Sequence, residues 1–237
     1  MNDQCKTVCV TALATAAWLC AATASATETT LAGDSPVTAT AGNAKAGNAP
    51  GIDPAGQLAA QRVAVATCAT CHGRQGRSVS PKFPVLAGQH AGYLAAQLKA
   101  FKAQTRGDPD ALGYMWGMAA PLDDAMIAAL AAYYAAQRPT YGSSGDAVVI
   151  THGADIYANG IAAEGIPPCL ACHGPGAVGT DEVPRLAGQH AQYVLKQLRS
   201  FQSNLRDVAV MHGVAQGLRT KEMQAVASYL QSLTTQN

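Results

Sequence analysis

The chain has 237 residues, a formal net charge of +1 and 13% charged side chains. A balance so close to neutral leaves no electrostatic footprint for nucleic acid, and the length suits one large domain or two small ones. Only three Phe, two Trp and eight Tyr are present, so small domains lack the bulk for a self-sufficient core, and a staple, a metal or a prosthetic group is expected.

The first 26 residues join a polar start with Lys6 to an apolar run from Val8 to Ala22, then to a small-residue site at Ala24-Ser25-Ala26. This is the pattern of a signal peptide over 1–26. If retained, the same run approaches the ~20 residues of a membrane anchor; Cys20 raises a lipoprotein reading, but Trp18-Leu19 is a poor context for it. Residues 27–54, mostly Ala, Thr, Gly and Asn, cannot repay the entropy of ordering and are expected to form a flexible low-complexity linker. No later run has membrane-span length, so an exported, periplasmic protein is expected.

From there the chain reads as helices separated by Gly and Pro loops, with no alternating strand pattern, which predicts an all-α fold. A helix over about 54–67 leads into "CATCH" at 68–72. The phrase "PVLAGQHAGY" at 84–93 opens a helix over 90–104, and a last helix covers 122–137. After "RPTYGSSGD" at 138–146 the order recurs: a helix at about 151–159, "CLACH" at 169–173, "PRLAGQHAQY" at 184–193, and helices at 190–204 and 218–232. The repeat predicts two tandem domains, 55–138 and 147–237, joined by 139–146. Tyr93, Leu94, Leu98 and Phe101, matched by Tyr193, Val194, Leu198 and Phe201, are expected to face the core.

Of seven cysteines, Cys5, Cys9 and Cys20 fall in the leader. Cys68, Cys71, Cys169 and Cys172 remain, as two Cys-x-x-Cys pairs each followed by a histidine. That is the attachment sequence of c-type haem. Two thiols add to the two vinyl groups on one porphyrin edge, and His72 or His173 then supplies an imidazole to the iron. A four-thiolate zinc site, disulfides and a thioredoxin-like pair are the competing readings, and none accounts for both histidines. Two covalently bound haem c groups are therefore expected, and the macrocycles supply the missing aromatic bulk.

The second iron ligand decides between electron transfer and ligand binding. In the aligned halves, "YMWGMAAPLDDAMIAALAAYYAAQ" at 114–137 stands opposite "VMHGVAQGLRTKEMQAVASYLQS" at 210–232. Met115 and Met211 each precede the matched Leu122 and Leu218 by seven residues. They are the expected sixth ligands. Met118 falls opposite Val214, and Met126 and Met223 read as core. Thioether opposite imidazole favours the reduced iron and leaves no open coordination position, which argues for a carrier rather than a catalyst. Trp116 covers the haem edge or simply packs. The repeated His90 and His190 read as scaffold at a helix start, meeting solvent or helix-end groups.

Residues 55–140 carry eight Lys and Arg against four Asp and Glu, net +4, and 141–237 carry six against seven, net −1. Such polarity orients partners at low salt.

"CATCH" and "CLACH", the doubled "LAGQ" phrase and the downstream Met before a Leu-led final helix resemble the dihaem cytochrome c4 family, two class I cytochrome c domains in tandem. The resemblance covers about 55–237. It implies an electron-transfer protein, not an enzyme, in a bacterial periplasmic respiratory chain, soluble or loosely membrane-associated. A quinol-cytochrome c oxidoreductase or a dehydrogenase would donate, and a terminal oxidase or reductase would accept. It places the sixth ligands at Met115 and Met211. The rival reading is a dihaem subunit of a sulfide- or alcohol-oxidising dehydrogenase; a dihaem peroxidase, which needs an open iron, fits less well.

Overall fold

A computed structural model describes residues 51–234; the expected signal peptide and residues 27–50 of the expected linker lie outside them. Helix α1 (Pro54–Val63) starts where Asp53 accepts a bond from the Gly56 amide at 2.6 Å and Pro54 occupies the first turn. A proline there forfeits no intrahelical bond, and the carboxylate satisfies an orphan amide. The helix runs without a break through a π-helical turn, Ala64–Cys68, into α2 (Ala69–His72). Then come α3 (Ala91–Lys102), a second π-helical turn at Ala111–Met115, α4 (Trp116–Ala119) and α5 (Asp124–Ala135).

The second half opens with α6 (Ala147–Asn159), capped by Asp146, which accepts from Val148 and Val149. That cap starts the helix four residues ahead of the expected 151. A loop then separates α6 from α7 (Leu170–His173), where the first half runs on as helix; it is closed by a single antiparallel bridge, Ile161 to Ile166. Next follow α8 (Ala191–Gln202), α9 (Ala209–Gly217) and α10 (Thr220–Ser232). That bridge is the only strand-like pairing among the described residues, so the class is all-α. Helices α4 and α9 are additions to the expected set: the sequence reading treated their residues only as approaches to the last helices.

Within each half the first helix crosses the last, α1 on α5 and α6 on α10, and α3 or α8 packs alongside. Four alanines (Ala60, Ala64, Ala129, Ala131) join Leu94, Leu130 and Tyr134 in the first core. At roughly 0.8 kcal/mol per buried methylene, so small a set contributes little. The second core is larger, with Ile156, Tyr157, Leu198, Met223, Val226 and Leu230 buried. Gly153 makes its helix crossing possible: a Cβ there would lie 2.0 Å from the Ala225 carbonyl oxygen.

The halves pack into one compact unit, and the repeated phrase joins them. Gln89 accepts from the Arg185 amide at 2.8 Å and donates to its carbonyl at 2.9 Å; Gln189 does the same to Val85, at 2.9 and 3.0 Å. His90 and His190 donate through Nε2 across the same boundary, to the carbonyls of Val178 (2.7 Å) and Ser78 (2.9 Å). Neither histidine side chain caps its helix, so the helix-end reading gives way to an interdomain one. Residues 139–146 follow the boundary, with Thr140 bonded to the Gly188 carbonyl and the Ser143 amide to that of Gln231.

Candidate functional site

Both Cys-x-x-Cys-His segments form short helical turns, which put the two thiols of each pair on neighbouring faces and the histidine at the end. No disulfide joins Cys68, Cys71, Cys169 or Cys172 in this structure. Burial pushes the Cys68 and Cys169 thiols above their ordinary range.

His72 and His173 are buried, each 7% exposed. Their Nδ1 atoms stand 3.0 Å from the Pro84 carbonyl and 3.1 Å from the Pro184 carbonyl. A carbonyl only accepts, so Nδ1 carries the proton and Nε2 keeps its lone pair. Burial, only partly offset by that bond, lowers both imidazole pKa values and favours the neutral ring. A neutral imidazole oriented through its second nitrogen is the form that binds a metal.

Met115 ends the π-helical turn, half-buried against the cluster of Phe101, Ala111 and Ala119. Met211 lies in the first turn of α9, packed on the second core. Met118 is 54% exposed. Met126 packs on the first core and Met223 is buried in the second. Trp116 packs beside Met115 and donates from its indole to the Arg106 carbonyl at 2.8 Å.

The donor set is thus, per half, two thiols on one helical turn, an oriented neutral imidazole and a thioether. Among the described residues two buried guanidinium atoms, Arg77 Nε and Arg185 Nη2, lack partners, and a macrocycle bearing carboxylates can satisfy them. Haem c fits these residues. A four-thiolate zinc site does not, because no group of three or more His, Cys, Asp or Glu able to hold a metal ion occurs among the described residues.

Two features were missed in the sequence. Arg106 bonds Asp108 (2.7 Å), Gln97 (2.8 Å), Gln197 (2.8 Å) and the Tyr193 hydroxyl (3.4 Å). Arg206 reciprocates with Gln197, Gln97 and the Tyr93 hydroxyl, at 2.8, 2.8 and 2.7 Å. Tyr93 and Tyr193, expected to face the core, instead send their hydroxyls to the opposite half; the other residues of that set are buried or half-buried as expected. The recurrence of Gln, Tyr and Arg in register was the available signal. In the first half only, aromatic edges run from His72 to Phe83 (6.1 Å) and on to Tyr114 (5.7 Å), with the Lys82 ammonium over the Tyr114 ring. Glu182, Val183 and Val210 stand at the matching places in the second half.

The cytochrome c family model matches this chain twice, over residues 57–136 and 150–234. Cytochrome c4 of Azotobacter vinelandii is 40% identical over 190 residues, 76% of this chain and 90% of that protein. The solved cytochrome c4 of Acidithiobacillus ferrooxidans superposes with a TM-score of 0.67 at 42% identity, covering 70% of this chain and 98% of that one. A protein named thiosulfate dehydrogenase electron acceptor, from Thiomonas intermedia, is 36% identical over 172 residues, 70% of this chain and 77% of its own.

Proposed function

Because the chain belongs to the cytochrome c family as two tandem domains, we propose that Cys68, Cys71 and His72 serve one haem c, Cys169, Cys172 and His173 the other, and Met115 and Met211 complete the iron coordination. The protein is a dihaem electron carrier with two covalently bound haem c groups, like the cytochromes c4 it matches. When bound, each haem supplies a one-electron redox couple. The paired neutral imidazoles, each fixed by a proline carbonyl, are the observation that carries the residue assignment.

The chain's own groups do the rest. Cys68 and Cys71 in one half, and Cys169 and Cys172 in the other, would hold each macrocycle through thioether bonds. The carbonyls of Pro84 and Pro184 hold His72 and His173 in one tautomer and one orientation, so neither ring must turn as charge arrives. Met115 and Met211 would offer each iron a soft thioether sulfur, which favours the reduced state. A histidine and a methionine offered to each iron would leave no position for water, which supports a carrier over a catalyst.

The export signal over 1–26 supports a periplasmic place in a respiratory chain, with a quinol-cytochrome c oxidoreductase or a dehydrogenase as donor and a terminal oxidase or reductase as acceptor. The boundaries 55–138 and 147–237 complete this reading. A second reading, a dedicated acceptor for one dehydrogenase, is supported by the match to a thiosulfate dehydrogenase electron acceptor. Co-purification of a stoichiometric dehydrogenase from membranes would favour it over a free shuttle.

The assignment is tested on the mature protein by haem stoichiometry and near-infrared spectroscopy. We expect two haems per chain and a sulfur-to-iron charge-transfer band that falls by half in Met115→Ala and in Met211→Ala. An unchanged band in either variant removes that methionine from the iron.

A further inference from the structure

Met115 leaves the chain at a weakly held point. It ends the π-helical turn Ala111–Met115, in which Ala111 alone is buried and Gly113 carries no side chain. A thioether is a soft ligand that suits reduced iron better than oxidised iron, so in the oxidised state the sulfur stays in place only as far as the chain holds it there. The next residue supplies that hold. Trp116 packs with Met115 on the cluster of Phe101, Ala111 and Ala119, and its indole N–H donates to the Arg106 carbonyl at 2.8 Å.

The segment that receives this bond is fixed from the other half of the molecule. Arg106 donates through Nη2 to Gln197 Oε1 at 2.8 Å and to the Tyr193 hydroxyl at 3.4 Å. The Gly107 amide donates to the Leu205 carbonyl at 3.0 Å, and Asp108 accepts from Gln197 Nε2 at 3.3 Å. Residues 106–108 are therefore held one after another by the second half, and Trp116 is bonded to the first of them. The residue after Met211 is His212, whose Nδ1 donates to the Phe201 carbonyl at 2.7 Å, within its own half. We propose that Trp116 is a positioning residue that keeps Met115 on the iron of the first haem, and that the second half braces it there through Arg106. The inference rests on the haem assignment above. Met211, anchored inside its own half, does not share this brace, so loosening the boundary weakens one axial bond and spares the other.

The test uses the oxidised mature protein with both haems attached, titrated with imidazole, which competes with a thioether for ferric iron. The sulfur-to-iron band and the NMR methyl signal of each axial methionine, assigned with Met115→Ala and Met211→Ala, report the displacement. Trp116→Phe keeps an aromatic ring without the donor. In it we expect half-displacement of Met115 at about five- to tenfold less imidazole, as the loss of one buried bond implies, and that of Met211 at the same concentration as before. Gln197→Ala should act on Met115 in the same direction, and combining it with Trp116→Phe should bring no further change, because both act through Arg106. Replacing tryptophan biosynthetically by β-benzothienylalanine, which has sulfur in place of the indole N–H, carries the same expectation should Trp116→Phe not accumulate; Trp18, the only other tryptophan, lies in the expected leader. Equal imidazole sensitivity of Met115 with and without the donor would overturn the proposal and leave the haem assignment standing, as would a change shared equally by Met211. Additive effects of Trp116→Phe and Gln197→Ala would overturn the brace from the second half. A Met115→Ala protein with an unchanged band would bring down the haem assignment itself, and the proposal with it.

Discussion

At Glu222 a single side chain settles how a helix begins. Its carboxylate accepts from the Arg219 amide at 2.7 Å and from Arg219 Nε at 2.8 Å, closing the first turn of α10. Those bonds, led by the Arg219 side chain, hold its pKa below the ordinary glutamate value. A depressed acid contributes its stability above the unfolded value of about 4.3 and loses it as pH falls through the lower folded value. We therefore expect Glu222→Ala to lower the free energy of unfolding by about 1–2 kcal/mol at pH 7, with the gap to the unaltered protein narrowing below about pH 4; urea titrations at both pH values measure it. The cysteines and histidines proposed to hold the haems could be read from the sequence at this scale because five adjacent residues carry the whole chemical requirement. Arg185 was not legible: a buried arginine is identical in sequence to an exposed one, and only the count of its partners separates them.

Three helices, α1, α5 and α6, start where an aspartate stands ready. Asp53, Asp123 and Asp146 each accept bonds from the amides two or three residues on. Read as the end of a linker, Asp146 hid the first turn of α6, and reading it as a cap would have recovered that turn. The π-helical turns at Ala64–Cys68 and Ala111–Met115 were beyond the sequence, since a single inserted residue leaves no periodic trace in segments this short. The first and last helices of each half cross at small residues, but by different means. The second half uses Gly153, whereas the first uses the buried Ala60 and Ala64. Gly153→Ala should destabilise the second half by about 1–3 kcal/mol, because its methyl meets a backbone carbonyl that cannot rotate away. Thermal unfolding followed by haem absorbance reads this directly.

The whole molecule is held by contacts that nearly mirror one another. Gln89 grips the backbone of Arg185 while Gln189 grips that of Val85, and the Arg106 and Arg206 clusters exchange glutamines and tyrosines across the same boundary. The all-α class, the duplication and the helix order were legible because each repeats locally. The boundary was not, since its partners lie about ninety or more residues apart and hydrophobic periodicity says nothing of polar side chains. Paired replacement of Gln89 and Gln189 by Ala removes the four buried bonds across the boundary, and with them the partners of the Arg185 and Val85 amides and carbonyls. We expect the variant to unfold in two steps where the unaltered protein unfolds in one, as followed by separate haem and far-ultraviolet signals.

Mutual contacts of this kind are what a symmetric dimer makes, each copy offering the same residue to the other. Here both copies share one chain, and residues 139–146 tether them. A short tether raises the effective concentration of each half at the other's surface to the millimolar range. The boundary can therefore stay polar and modest in strength and still remain closed at any dilution.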